Sequence, residues 1–174
     1  MKVIMVAVVS ANGKLTRGND PDIYKWTSKE DQDLFFSIIS KSRLIVMGSG
    51  TYEAVRKQVK HTQDRLRIVM TSSTEKYKGQ EIKGALEFTS ETPHQLINRL
   101  INYNEMLLVG GSKIYSAFIK EGLVNELYLT MEPVLFGQGK NLFADEEFEA
   151  RLELISIEKL NKKGTLLLKY KVIK

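Results

Sequence analysis

Hydrophobic positions along this chain fall into short continuous blocks, separated by segments with helical spacing. Val3 to Val9 is an uninterrupted apolar run rich in β-branched residues, the pattern of a strand buried on both faces. Leu44-Ile45-Val46-Met47 and Met106 to Val109 repeat it, and Ile68-Val69-Met70, Ala85 to Phe88 and Leu127 to Thr130 read as further strands. Between them, Ser28 opens a helix whose inner face carries Leu34, Phe35, Ile38 and Ile39, and a short helix runs from Thr51 to about Lys57. Thr92-Pro93-His94-Gln95 has the form of a capping box with proline at the first helical position, followed by the stripe Leu96, Ile97, Leu100 and Ile101. Ser112 starts another helix, with Ile114, Tyr115, Phe118 and Ile119 inward and Gly122 closing it. The chain ends as a hairpin: Leu152 to Leu160, the polar turn Asn161-Lys162-Lys163-Gly164, then Leu166 to Ile173. The pattern gives about eight strands and four helices, alternating up to residue 130, hence an α/β fold. We expect an open, mainly parallel sheet with an antiparallel hairpin at one edge.

Length and composition narrow this picture. The 174 residues form one domain, 1–174, with no repeat, linker or low-complexity tract. No cysteine is present, which excludes disulfides, thiolate metal sites and a cysteine nucleophile. The two histidines, His61 and His94, are far apart, so no metal site is expected. The net charge of +5 suits an anionic partner, either a nucleotide or a nucleic acid. Lys57, Lys60, Arg65 and Arg67 are basic, but acidic residues are interspersed and no RNA-binding aromatic signature accompanies them, so no nucleic-acid partner is expected. The opening apolar run is too short for an export signal or a membrane span, and a cytoplasmic location is the expectation. Tyr103, Phe118, Tyr128 and Phe148 read as core aromatics. A homodimer stays open.

In an open α/β sheet, ligands gather at the carboxyl ends of the strands, and there the glycine- and hydroxyl-rich segments stand. Gly48-Ser49-Gly50-Thr51 and Gly110-Gly111-Ser112-Lys113 each lie between a strand and a helix. Such turns let backbone N–H groups approach a phosphate beside a helix N-terminus. The plainer alternative for the first is a tight turn with Thr51 as helix cap. Neither turn is a Walker A loop or a GxGxxG fingerprint.

The ordered set of these segments resembles the dihydrofolate reductase superfamily, including the reductase domain of riboflavin-pathway deaminase–reductases. Its pieces are Val8 to Leu15, Trp26 followed by Asp31, Val46 to Tyr52, Arg65 before Ile68 to Ser72, Leu108 to Tyr115, Gly122 to Thr130, and Pro133 to Phe143. The resemblance implies that fold, and hydride transfer from NADPH to a nitrogen heterocycle or related ring substrate. It places Ala7 and Leu15 beside the nicotinamide. Gly48, Ser49, Gly50 and Thr51, together with Gly110, Gly111, Ser112, Lys113, Ile114 and Tyr115, would hold pyrophosphate and ribose. Thr71 and Ser72 would meet the adenosine end. It also implies a cis peptide at the glycine pair.

Asp31, with Trp26 beside it and Thr130 as its partner, would bind the substrate ring and promote its protonation, since burial raises a carboxyl pKa toward neutrality. The competing reading makes Asp31 part of a capping pattern opened by Ser28. Phe35 would line the substrate pocket. Arg65 would pair with the glutamate carboxylate of folate or with a substrate phosphate, or would be a surface arginine at a strand start. The favoured reaction is reduction of 7,8-dihydrofolate to tetrahydrofolate. The alternatives are reduction of 5-amino-6-(5-phosphoribosylamino)uracil in riboflavin synthesis, and a non-catalytic nucleotide-binding protein. Two departures bear on this choice. No basic residue stands at Ser49-Gly50 to meet cofactor phosphates, and Lys25 replaces the proline usual before the tryptophan in dihydrofolate reductases.

Overall fold

A computed structural model describes residues 1–173. The strands are β1 (Lys2–Ser10), β2 (Leu44–Gly48), β3 (Leu66–Met70), β4 (Leu86–Thr89), β5 (Glu105–Leu108), β6 (Glu126–Glu132), β7 (Arg151–Lys159) and β8 (Leu166–Ile173). They form one eight-stranded sheet in the order β4-β3-β2-β5-β1-β6-β8-β7. The first six in that order pair in parallel, whereas β8 runs antiparallel to β6 and β7 antiparallel to β8.

The helices are α1 (Lys29–Lys41), α2 (Ser49–Val55), α3 (Pro93–Arg99) and α4 (Ser112–Lys120). They divide two and two over the sheet. Leu96 from α3 and Leu100 at its C-terminal cap, with Tyr115 and Phe118 from α4, pack on the face carrying Val3, Met5, Val46 and Ile68. Phe35, Ile38 and Ile39 from α1, with Tyr52 and Val55 from α2, cover the face carrying Ile4, Val6, Ile45 and Val69. Alternate residues of each strand therefore enter opposite cores, which is why the central strands read as continuous apolar runs.

Local signals place the helix ends. Thr92 and Gln95 form the reciprocal capping box of α3, with Pro93 at its start. Ser28 caps α1 by accepting the Asp31 N–H. One expectation needs correcting: α2 begins at Ser49, with Gly48 in the cap position, so Thr51 lies in the first turn and is not the cap. β1 sits between β5 and β6, whereas the chain first runs outward through β2, β3 and β4. The reversal in strand order beside β1 opens a crevice at the carboxyl ends of β1, β2 and β5.

Candidate active site

A cleft of about 1000 Å³ occupies that crevice. Its floor is built by the two glycine turns, which bond to each other: the Gly48 N–H donates to the Gly110 carbonyl at 2.7 Å. The Gly110–Gly111 peptide is cis, as the resemblance implied. Gly111 occupies the cap position of α4 without a side-chain hydrogen bond, so the first N–H groups of that helix are left for a ligand, at the positive end of its dipole. Behind the turn, Tyr115 is buried and its hydroxyl donates to the Val6 carbonyl at 2.6 Å; burial holds that phenol far above its ordinary pKa, in its neutral form.

The loop after β6 closes one wall. Leu15 N–H donates to the Lys140 carbonyl at 2.7 Å, Lys140 N–H to Thr16 Oγ1 at 2.9 Å, and Ser112 Oγ to the Asn141 carbonyl at 2.6 Å. Gly139 is required where these segments meet. Its φ is +149°, and a Cβ there would collide with the Thr16 carbonyl oxygen.

Opposite this wall, at the start of α1, stands Asp31, 5% exposed and lining the cleft. Burial pushes its carboxyl up to about 6; the hydrogen bond from Thr130 opposes that rise and the nearby Glu132 charge adds to it. In a capping box, the side chain three positions into the helix would accept the N–H of the cap residue. Here the Ser28 N–H instead donates to Glu132 Oε1 at 2.6 Å, which leaves the Asp31 carboxylate free for Thr130 and the cleft. Glu132 is itself buried, and its other oxygen accepts the Thr165 hydroxyl at 2.7 Å. The start of α1 is thus fastened to β6 and to the residue just before β8. Ser28 is therefore the cap of α1, and the Asp31 side chain lines the cleft.

The structure brings most of the sequence-predicted residues together. Ala7 and Leu15, Gly48 to Thr51, Thr71 and Ser72, Gly110 to Tyr115, and Asp31, Phe35 and Thr130 all line the cleft. Two do not reach it. Trp26 stands outside with its ring edge-on to Phe136 at 5.2 Å, where it supports the loop after β6. Arg65 is spent on the last turn of α1: its Nε donates to the Ser42 carbonyl at 2.9 Å and its Nη2 to the Ser40 carbonyl at 3.0 Å.

Other contributors were missed in the sequence. Tyr128, read as core, lines the cleft together with Thr27, Gln32 and Lys140. Gln32 Nε2 donates to the Tyr24 carbonyl and to both oxygens of Thr27, fixing the segment before α1. Among the described residues lining the cleft, the cations are Lys113 and Lys140, both on the side of the α4 N-terminus. The other side is walled by Tyr24, Leu34, Phe35 and Ile38.

Sheet order, helix placement and the crevice above the two glycine turns define an α/β domain of dihydrofolate-reductase-like fold. The chain belongs to the RibD C-terminal domain family, which it matches over residues 1–166. Among solved structures, a Shewanella sp. PV-4 protein described as a riboflavin biosynthesis candidate superposes with a TM-score of 0.82 at 21% identity, over 100% of both chains. The diaminohydroxyphosphoribosylaminopyrimidine deaminase/5-amino-6-(5-phosphoribosylamino)uracil reductase of Thermotoga maritima gives 0.75 at 13% identity, over 99% of this chain and 56% of that one. In sequence, the uncharacterised YwjB of Bacillus subtilis is 28% identical over 116 residues, 63% of either protein. A dihydrofolate reductase of Schistosoma mansoni is 24% identical over 71% of this chain and 67% of its own. Among the described residues, no helix is long and apolar enough to cross a membrane.

Proposed function

We propose that this protein is an NADPH-dependent reductase of a phosphoribosylaminopyrimidine, of the 5-amino-6-(5-phosphoribosylamino)uracil kind, acting on the carbon–nitrogen double bond formed between the sugar's anomeric carbon and its amino nitrogen when the sugar ring opens. The observation that carries the reading is the placement of Asp31: a buried carboxyl with a pKa near 6, across one cleft from two glycine turns and an open helix N-terminus. The glycine floor fits a dinucleotide. A Cβ at Gly48 would lie 2.9 Å from Ile114 Cγ1, and one at Gly110 would lie 3.2 Å from Thr51 Oγ1, so side chains at these positions would crowd the cradle. Backbone N–H groups of α4 and the charge of Lys113 would hold the pyrophosphate. Bound there, the cofactor supplies a hydride to the carbon of the substrate double bond.

The chain's own contribution is the proton and the geometry. Protonated Asp31 delivers its proton to the substrate nitrogen, and a carboxyl with a pKa near 6 holds a useful protonated fraction close to neutrality. Thr130 lines the cleft with it, and its hydroxyl favours the ionised carboxylate. The apolar wall of Leu34, Phe35 and Ile38 keeps water from the acid and packs against the substrate.

Family membership supports the aminopyrimidine over the dihydrofolate favoured by the sequence resemblance. Reduction of 7,8-dihydrofolate stands as the second reading, favoured by the Asp31–Thr130 pair, which suits the amino-pyrimidine edge of a pterin. Loss of NADPH absorbance in the presence of either compound tests the assignment. The proposal requires faster turnover of the phosphoribosylaminouracil, and exclusive turnover of dihydrofolate would replace it with the second reading.

A further inference from the structure

The two sides of the cleft differ in charge. Lys113 and Lys140 stand beside the α4 N-terminus, whereas Tyr24, Leu34, Phe35 and Ile38 wall the side of Asp31 with uncharged groups. A substrate of the proposed kind carries a phosphate at the far end of its sugar, and that charge calls for a partner on the Asp31 side.

A cation stands just past this wall. Tyr128 and Thr130 are two residues apart on β6, so they share one face of the sheet, the face that α1 covers, and both line the cleft. Their neighbours on β8 are Lys169, opposite Tyr128, and Leu167, opposite Thr130; Leu167 lines the cleft as well. Lys169 is half-buried, and its Nζ lies over the Tyr128 ring, 4.9 Å from the centroid. Glu126, which flanks Tyr128 on the same strand, is already taken: it pairs with Lys2 at 2.8 Å and accepts the Tyr128 hydroxyl at 2.9 Å. The Tyr128 ring is thereby fixed at its outer end. The Lys169 ammonium rests on that ring and, among the described residues, has no carboxylate of its own.

The spacing suits an open-chain sugar. Asp31 meets Thr130, so the carbon–nitrogen bond to be reduced lies at that level of the sheet. Lys169 and Tyr128 stand two residues further along, a step of about 7 Å. An extended five-carbon sugar holds its terminal phosphate at a similar distance from the anomeric carbon. The flexible four-carbon stem of lysine, with its three rotatable donors, can follow the phosphate over the remaining gap.

We propose that Lys169 binds the substrate phosphate, leaving the Tyr128 ring as the sugar carbons pack there. The proposal rests on the reaction assigned above and adds the residue by which the cleft tells a phosphorylated sugar from an unphosphorylated one. The exchange favours the bound state, because an exposed cation–π contact is weak beside charge-assisted hydrogen bonds to a phosphate.

The test is calorimetric titration of the full chain with ribose 5-phosphate and with ribose. The phosphate should raise affinity at least about tenfold, and Lys169→Met should remove that gain. Lys171→Met, which deletes an exposed charge two residues further from Thr130 on the same face, should keep it. With the phosphoribosylaminouracil, Lys169→Met should raise KM at least about tenfold with kcat unchanged, and Lys169→Arg should recover most of the loss. A wild-type chain that binds ribose 5-phosphate no better than ribose overturns the proposal, as does a gain that survives Lys169→Met or is lost equally in Lys171→Met; the reaction assigned above is untouched by either result. A gain that depends on Lys169, in a chain that leaves the phosphoribosylaminouracil unreduced, supports the phosphate site and removes that reaction.

Discussion

Replacing Asp31 by Asn should make the protein more stable and far less active. The carboxyl ionises at about 6 in the fold against an ordinary 3.8, chiefly because it is buried. At 1.36 kcal/mol for each pKa step, holding the ionised form in the fold costs about 3 kcal/mol more than in the unfolded chain at pH 8. The direction follows from the raised value. Between pH 3.8 and about 6 the folded protein binds more protons than the unfolded one, so stability falls as pH rises through that window and levels off above it. Linkage puts the penalty at about 1.6 kcal/mol at pH 5 and about 3 kcal/mol at pH 8. An amide of the same shape never ionises. It keeps a partner in Thr130, and it gives back roughly 1 kcal/mol for its own burial.

Urea unfolding of both proteins should therefore show Asp31→Asn ahead at pH 8 by about 2 kcal/mol, with the gap shrinking by about 1.4 kcal/mol at pH 5. Its turnover should drop at least about 100-fold, and the decline in rate expected of the unaltered protein as pH rises past about 6 should be lost with it. A stability gap that does not change with pH would refute the burial argument. An active Asn variant would remove Asp31 from the chemistry.

Glu132→Ala should free the Ser28 N–H, draw Asp31 into the helix cap and abolish most turnover, whereas Glu132→Gln keeps an acceptor and should rescue it, with the pH limit moved to lower values as a like charge is lost; equal activity of the two variants, measured as pH–rate profiles, would end that positioning role. Gly111→Ala adds a methyl whose nearest neighbour is Thr51 Oγ1 at 3.5 Å, an ordinary contact, so the fold should survive while NADPH affinity, read by fluorescence titration, falls at least about tenfold. Arg65→Ala should lower the midpoint of thermal unfolding through a loss of about 1 kcal/mol at the end of α1 and leave the KM for substrate unchanged.

Much of this molecule is legible in its sequence because the signals are local or periodic. The apolar runs at β1, β2 and β5 have no polar face, and the structure covers them on both sides. The Thr92–Gln95 box carries its own geometry in four residues. The glycine turns are legible for the same reason, since close backbone approach demands that residue type. What stayed hidden depends on contacts across long stretches of chain. Glu132 takes its place from Ser28, and nothing near either residue announces a bond spanning 104 positions. Arg65 matches a substrate-binding position by order along the chain, but its guanidinium is held by carbonyls more than 20 residues upstream. Tyr128 alternates like a core residue, yet it stands where the sheet face leaves the shelter of α1 and opens into the cleft. A bulge of β7 at Ile155, where its pairing with β8 shifts, reads in sequence only as a lapse in alternation.

The central claim is that this cleft carries a hydride from a nicotinamide cofactor to a carbon–nitrogen double bond. The most direct measurement is a single-turnover reaction of the full chain with NADPH deuterated at the transferable position and the phosphoribosylaminouracil, followed by mass spectrometry of the product. The account predicts one deuterium bound to the reduced carbon and an unlabelled proton on the neighbouring nitrogen. A product without deuterium, or unchanged cofactor and substrate in the presence of folded protein, would contradict it.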